Sequence, residues 1–133
     1  MFERKLITPE NFTPSMGAYS HGLKVELSDA SIIFITGQIA LDENGELISD
    51  DIEEQTRYVF ERVKRILYAS NATLEDVVKV QIFLTNINDF SKVSPIRNEY
   101  LGKSKPVSTL LEVSSLVRNG CKVEIEAIAI KAK

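Results

Sequence analysis

The chain has 133 residues, 44 % of them apolar and 26 % charged, and a formal net charge of −3. A domain-sized chain of that composition can bury one real core, which excludes disorder of the whole and leaves little room for a second domain. The acidic balance counts against a general nucleic-acid binder, the single cysteine (Cys121) excludes an internal disulfide framework, and no apolar run reaches the roughly 18 residues of a membrane span.

Residues 1–133 read as a single domain. The start, Met1-Phe2-Glu3-Arg4-Lys5, leads into Pro9 and Pro14 without an apolar stretch, so no signal peptide is expected and a reducing, cytoplasmic setting is the simplest reading. One histidine and no CxxC or HxxxH spacing predict no metal site.

A first strand is predicted in Glu3–Thr8. The segment Thr8–Ser20, with two prolines and Gly17, reads as an ordered loop pinned by Phe12, Met16 and Tyr19. Gly22–Leu27 and Ser31–Leu41 are strand-like and joined by a short hairpin at Ser28-Asp29-Ala30; the second is apolar at both parities, as in a strand covered on both faces. Asp42-Glu43-Asn44-Gly45 is a turn. From Asp51 to Ala69 the apolar period becomes helical, through Ile52, Thr56, Val59, Phe60, Val63, Ile66 and Leu67. Asp50 and Glu53 suggest its capping box, and Asn71 a left-handed stop.

Thr73 and Asp76 suggest a tight turn. Val77–Leu84 alternates, with Val78, Val80, Ile82 and Leu84 on one face and Val77, Lys79, Gln81 and Phe83 on the other. Asn88–Tyr100 reads as a second helix whose regular part starts at Pro95, with Ser94 as N-cap. Val107–Val113 and Cys121–Lys131 are the last strands. The result is an α+β domain: a mixed five- to six-stranded sheet with two helices on one face.

Two helices cover only one face. On the last strand Val123, Ile125, Ala127 and Ala129 suit the core, whereas Lys122, Glu124, Glu126, Ile128 and Ile130 fall on the other side with Phe34 and Phe83. An apolar, polar-dotted face on so small a domain is an association surface, and predicts a homo-oligomer.

Several residues could carry chemistry. Glu124 and Glu126 lie mid-strand between apolar neighbours, where a partly dry carboxylate gains a raised pKa and can act as general base or acid; the competing reading is a solvated face with Lys79 or Lys122 as partner. His21 reads as a loop residue rather than a base, and Cys121, at core parity, as an inert buried thiol. Tyr19 is either loop packing or a pocket wall. Gly37, inside an apolar strand, marks the close approach of another backbone or a ligand. The charges of the long helix, Glu53, Glu54, Arg57, Glu61, Arg62, Lys64 and Arg65, read as a solvated face.

Seven segments in order resemble the Rid/YjgF family, the reactive intermediate deaminases, also called the endoribonuclease L-PSP family. Gly17-Ala18-Tyr19-Ser20-His21 resembles that family's G-P-Y-S-Q, and Thr36-Gly37-Gln38-Ile39 its S-G-Q-I. The likeness continues through Gly45-Glu46-Leu47, Gln55-Thr56, Asp76-Val77-Val78-Lys79, Phe83–Phe90 and Val123–Ala129. The resemblance implies a chorismate-mutase-like α+β subunit, a homotrimer whose sheets line a central barrel, and small-molecule clefts between subunits. It further implies hydrolysis of enamines and imines such as 2-iminopropanoate and 2-iminobutanoate, with no cofactor. Tyr19 and Gly37 match the family's ligand-binding tyrosine and glycine, and Glu124 its water-activating glutamate. Ser94 stands where the family has asparagine, and Ser108, in Pro106-Val107-Ser108-Thr109, where P-A-R-S has the substrate-binding arginine; Ala18 replaces a proline.

Serine cannot copy the guanidinium fork. Each charge-assisted hydrogen bond is worth roughly 1.5–3 kcal/mol, so losing a bidentate pair lowers substrate capture by about two to four orders of magnitude unless Arg97, Lys103, Lys105 or Arg118 takes over. Efficient 2-iminopropanoate or 2-iminobutanoate deamination is therefore not expected from Ser108 alone. The competing readings are a non-catalytic, metabolite-binding or regulatory trimer and, third, an RNA-directed ribonuclease or translation inhibitor. The acidic charge and the absence of tryptophan count against the last.

Overall fold

The computed structural model describes residues 2–133. Its elements are β1 (Glu3–Ile7), β2 (Gly22–Glu26), β3 (Ala30–Gln38), α1 (Ile52–Ala69), β4 (Val77–Leu84), α2 (Phe90–Leu101), β5 (Val107–Glu112) and β6 (Val123–Ala132). One six-stranded sheet has the order β1-β2-β3-β6-β4-β5. The β4–β5 pair is parallel and the others antiparallel. Because β3 and β4 both oppose β6, they run parallel to each other, and α1 is the crossover between them as α2 is between β4 and β5.

Both helices pack on the same face. Val59, Phe60, Val63, Ile66 and Leu67 of α1 and Val93 and Ile96 of α2 join Ile33, Ile35, Val80, Ile82, Leu84, Val123, Ile125, Ala127 and Ala129 in one buried cluster. Phe60 and Tyr100 stack at 4.9 Å between the helices. The odd positions of β6 are thus the core positions, as their alternation predicts. No other described element of the chain covers the opposite face. Leu23, Phe34 and Ile128 form one cross-strand row on it, and Val25, Ile32 and Ile130 the next.

Several boundaries differ from the sequence reading, each for a local reason. Asp51, not Asp50, caps α1, accepting from the Glu54 N–H at 2.9 Å. Asn71 does take the left-handed conformation (φ 62°), and Thr73 and Asp76 close a capping box around a short 3₁₀ turn. Helix α2 does not start at Pro95: it grows from a 3₁₀ turn at Ile87–Asp89 capped by Asn86 and carries Pro95 inside it. Burial of Val93 and Ile96 on either side of the proline outweighs the one backbone bond that Pro95 cannot donate. β3 stops at Gln38, and Leu41 makes only an isolated bridge to Leu47. A register shift between Val77 and Lys79 buries Val77 and exposes Val78, the reverse of the predicted parity there. In the N-terminal loop Phe12 is buried, whereas Met16 and Tyr19 are exposed and pin little.

Candidate functional site

The site begins with a strand irregularity. The β3–β6 register shifts between Ile35 and Gln38, so Ile33 and Ile35 face the helices, and Gln38 does so as well, three residues on. Gly37 is thereby turned to the open face, where Glu124 of β6 lies across it. A Cβ on Gly37 would sit 2.5 Å from Glu124 Oε2, 2.7 Å from its Cδ and 2.9 Å from its Cγ. The close neighbour of the strand glycine is thus not the backbone or ligand expected from sequence but the side chain of Glu124.

Tyr19, Gly37 and Glu124 line one cleft of about 80 Å³, together with His21, Gln38 and Arg62. Burial raises the Glu124 carboxyl above the usual range, and the neighbouring negative charge of Glu126 adds to the rise. Neither lysine of the solvated-face reading pairs with it: Lys122 Nζ donates to the Asp50 carbonyl at 2.6 Å, and Lys79 forms no ion pair among the described residues. A half-buried carboxylate with a raised pKa, open to a small cleft, can take a proton from water.

The far wall is a polar relay that the sequence reading did not find. Arg62 is 4 % exposed. Its Nε donates to Gln38 Oε1 at 3.0 Å and its Nη1 to the Leu41 carbonyl at 3.1 Å, while the guanidinium stacks 4.1 Å from the Phe12 ring centre. Gln38 Nε2 in turn donates to the Thr36 carbonyl at 2.9 Å and lies 3.4 Å from His21 Nδ1. His21 Nε2 reaches the Thr13 carbonyl at 2.6 Å, which requires the proton on Nε2 and leaves Nδ1 to accept. The chain of contacts joins α1 to the loop that carries Tyr19, whose hydroxyl accepts from the Met16 N–H at 3.2 Å. Desolvation lowers the Arg62 pKa from its ordinary value.

Arg62 is therefore not part of a solvated helix face. The signal was present: Gln55, Val59, Arg62 and Ile66 follow one another at spacings of four, three and four, so Arg62 continues an apolar stripe of α1. His21 is buried and hydrogen-bonded, and Cys121 is buried with its thiol pushed up by desolvation. Among the described residues no three His, Cys, Asp or Glu side chains converge as a metal site, and no helix is long and apolar enough to cross a membrane.

Ser94 and Ser108 are not in this cleft. Ser108 pairs in register with Val80, on the helix-facing side of β5, and lines a separate cavity of about 400 Å³ with Arg97 and Lys105. Ser94 Oγ accepts from Arg97 Nη2 at 3.1 Å. Of the other cations near in sequence, Lys103 turns to Glu75 at 3.7 Å, and Arg118 donates to the Gly45 carbonyl at 3.0 Å.

A mixed six-stranded sheet with both helices on one face is an α+β fold, the class of the chorismate-mutase-like domains that the sequence resembles. The family described as Endoribonuclease L-PSP matches residues 10–131. A RutC family protein of Pyrococcus abyssi is 42 % identical over 129 residues, 96 % of this chain and 98 % of its own. A 2-iminobutanoate/2-iminopropanoate deaminase of Bos taurus is 32 % identical over 129 residues, 96 % of this chain and 90 % of its own. The solved structure of a Rid-family protein from Yersinia pestis superposes with a TM-score of 0.84 at 35 % identity, covering 96 % of this chain and 98 % of that one. The chain belongs to the Rid/YjgF family.

Proposed function

We propose that the protein hydrolyses small imines or enamines in clefts between the subunits of a homotrimer, with Glu124 activating water. The observation that carries this reading is the Glu124 carboxylate, half-buried against Gly37 beside Tyr19, with a raised pKa and no ion pair among the described residues. As the water oxygen bonds to the imine carbon, Glu124 accepts a water proton and the π pair of the C=N bond moves onto the protonated nitrogen. The carbinolamine so formed takes the proton back from Glu124 at nitrogen. The C–N bond breaks as ammonia leaves, and the remaining hydroxyl gives its proton to the Glu124 carboxylate, which passes it to water, leaving the carbonyl. A carboxylate that burial makes more basic holds the water proton more readily and can return it to nitrogen. The deaminase name of the bovine relative supports the same reaction class.

Two features support a second copy completing the cleft. At about 80 Å³ the Glu124 cleft is small for a ligand site, while the positions that the family likeness marks as ligand-binding, Ser94 and Ser108, line or adjoin a different cavity of the same chain. The bare sheet face, with Phe34 at 42 % and Ile130 at 44 % exposed, offers the surface on which copies would meet.

The test couples the protein to a threonine dehydratase that generates 2-iminobutanoate and follows its clearance. Faster clearance than the uncatalysed control, lost in Glu124→Gln, is the expected result. Clearance by the variant equal to that of the native protein overturns the assignment of Glu124. A second reading, a metabolite-binding trimer without turnover, is favoured by Ser108 at the arginine position, and no clearance by a native protein that still binds 2-oxobutanoate would support it.

A further inference from the structure

The larger cavity, between α2 and the start of β5, has a sign. Arg97, Asn98, Leu101, Lys105, Pro106 and Ser108 line it: two cations, two neutral polar groups, an apolar floor, and no acid. Its volume of about 400 Å³ lies in the range of small-molecule sites.

Arg97 is held there without being neutralised. Its Nη2 donates to Ser94 Oγ at 3.1 Å and its Nε to Asn98 Oδ1 at 3.2 Å, both uncharged acceptors. Its Nη1 makes no hydrogen bond among the described residues. Glu99, two residues on in α2, receives both Nη groups of Arg57, at 2.5 and 3.3 Å. Two anchoring bonds fix the plane of the Arg97 guanidinium and leave its outer end free, which is the arrangement that grips a planar oxyanion.

Lys105 adds an independent observation. It is not glycine, yet it holds φ at 46°, with its N–H bonded to the Leu101 carbonyl at 3.0 Å. Such a conformation costs about 1–3 kcal/mol and persists where the surroundings impose it, commonly at ligand sites. Here it sets a second cation at the rim of the same cavity. Ser108, facing α2 from the β5 edge, contributes a hydroxyl without filling the space.

We propose that this cavity is an oxyanion subsite in which Arg97, seconded by Lys105, holds the carboxylate of a small 2-keto or 2-imino acid. The choice of acid rests on the proposed imine hydrolysis; the subsite itself stands on the charges and bonds of the cavity. The anion anchor of this chain is then on helix α2 rather than on strand β5, and Ser94 is its orienting partner. Leu101 and Pro106 offer the apolar floor for the short alkyl group of such an acid.

The experiment is calorimetric titration of the intact protein with 2-oxobutanoate, its uncharged methyl ester and inorganic phosphate. Native protein should bind 2-oxobutanoate and not the ester. Arg97→Met should raise the Kd about ten- to hundredfold, the equivalent of one charge-assisted bond, and Arg97→Lys should recover part of it. Lys105→Met, on an exposed loop, should weaken binding less and serves as the second variant should Arg97→Met lose its native circular dichroism. Binding that depends on Arg97 in a protein that clears no imine would sink the hydrolase reading and leave the subsite standing. No 2-oxobutanoate binding at millimolar concentration, an unchanged Kd in both methionine variants, or tighter binding of phosphate than of 2-oxobutanoate overturns the subsite.

Discussion

Gly37→Ala is the most informative single change in the cleft. The new methyl group would be placed 2.5 Å from Glu124 Oε2 and under 3 Å from its Cδ and Cγ. Ordinary contacts between such atoms begin near about 3.5 Å, so the glutamate must retreat by roughly 1 Å. The backbone need not move, because Gly37 is not among the residues with positive φ and the atoms in the way belong to a flexible side chain. The stability change should therefore stay within about 1 kcal/mol, helped by the reduced chain entropy of alanine. The chemistry should suffer far more. A displacement of about 1 Å at a reacting group costs on the order of a hundredfold in rate. Moved toward solvent, Glu124 should also lose part of the desolvation that raises its pKa. Imine clearance, a thermal melt, and the Glu124 carboxyl titration followed by carbon-13 NMR read these three effects separately. A variant that clears imine within about threefold of the native rate while its Glu124 titration stays raised would refute the steric argument. Outright unfolding would refute it too, since the side chain was expected to yield.

Three further predictions concern stability and assembly. The Glu124 carboxyl titrates above its unfolded value, so the folded state binds the proton more tightly, and this group lowers stability as pH rises from the unfolded pKa through the folded one. Glu124→Gln should accordingly melt higher than the native protein at pH 7, with the difference vanishing below the ordinary carboxylate range; paired melts at pH 7 and pH 3 check it. Arg62→Met strands Gln38 Oε1 and the Leu41 carbonyl inside the protein and should cost about 2–4 kcal/mol, measured as a fall in urea midpoint. Ile128→Asp puts a charge at the centre of the bare face and should convert a particle of three times the 14.9 kDa chain mass into monomer, by light scattering; a native protein that is already monomeric at micromolar concentration contradicts the trimer.

The layers of this fold were legible because they depend on periodicity. Alternation in β4 and β6 and the helical stripe of α1 each name a buried face, and two helices cannot cover both sides of one sheet. Gly37 was legible as a point of close approach because glycine in an apolar strand has few other reasons to be there. What approaches it was not, since the shift in the β3–β6 register decides which face Gly37 takes, and register depends on pairing between segments some ninety residues apart. Pro95 pointed to a helix start that tertiary burial of Val93 moved five residues upstream. Arg62 reads as a surface charge by type, and only the presence of Gln38, Leu41 and Phe12 around one point turns it into a buried, hydrogen-bonded wall. The same holds for Arg97. The sequence lists it among four cations near a missing arginine, but the choice among them is a matter of direction in space. Lys103 goes to Glu75, Arg118 to the Gly45 carbonyl, and Arg97 and Lys105 to the cavity that Ser108 lines. Residue type sets what a side chain can bind; only the folded backbone sets where it is pointed.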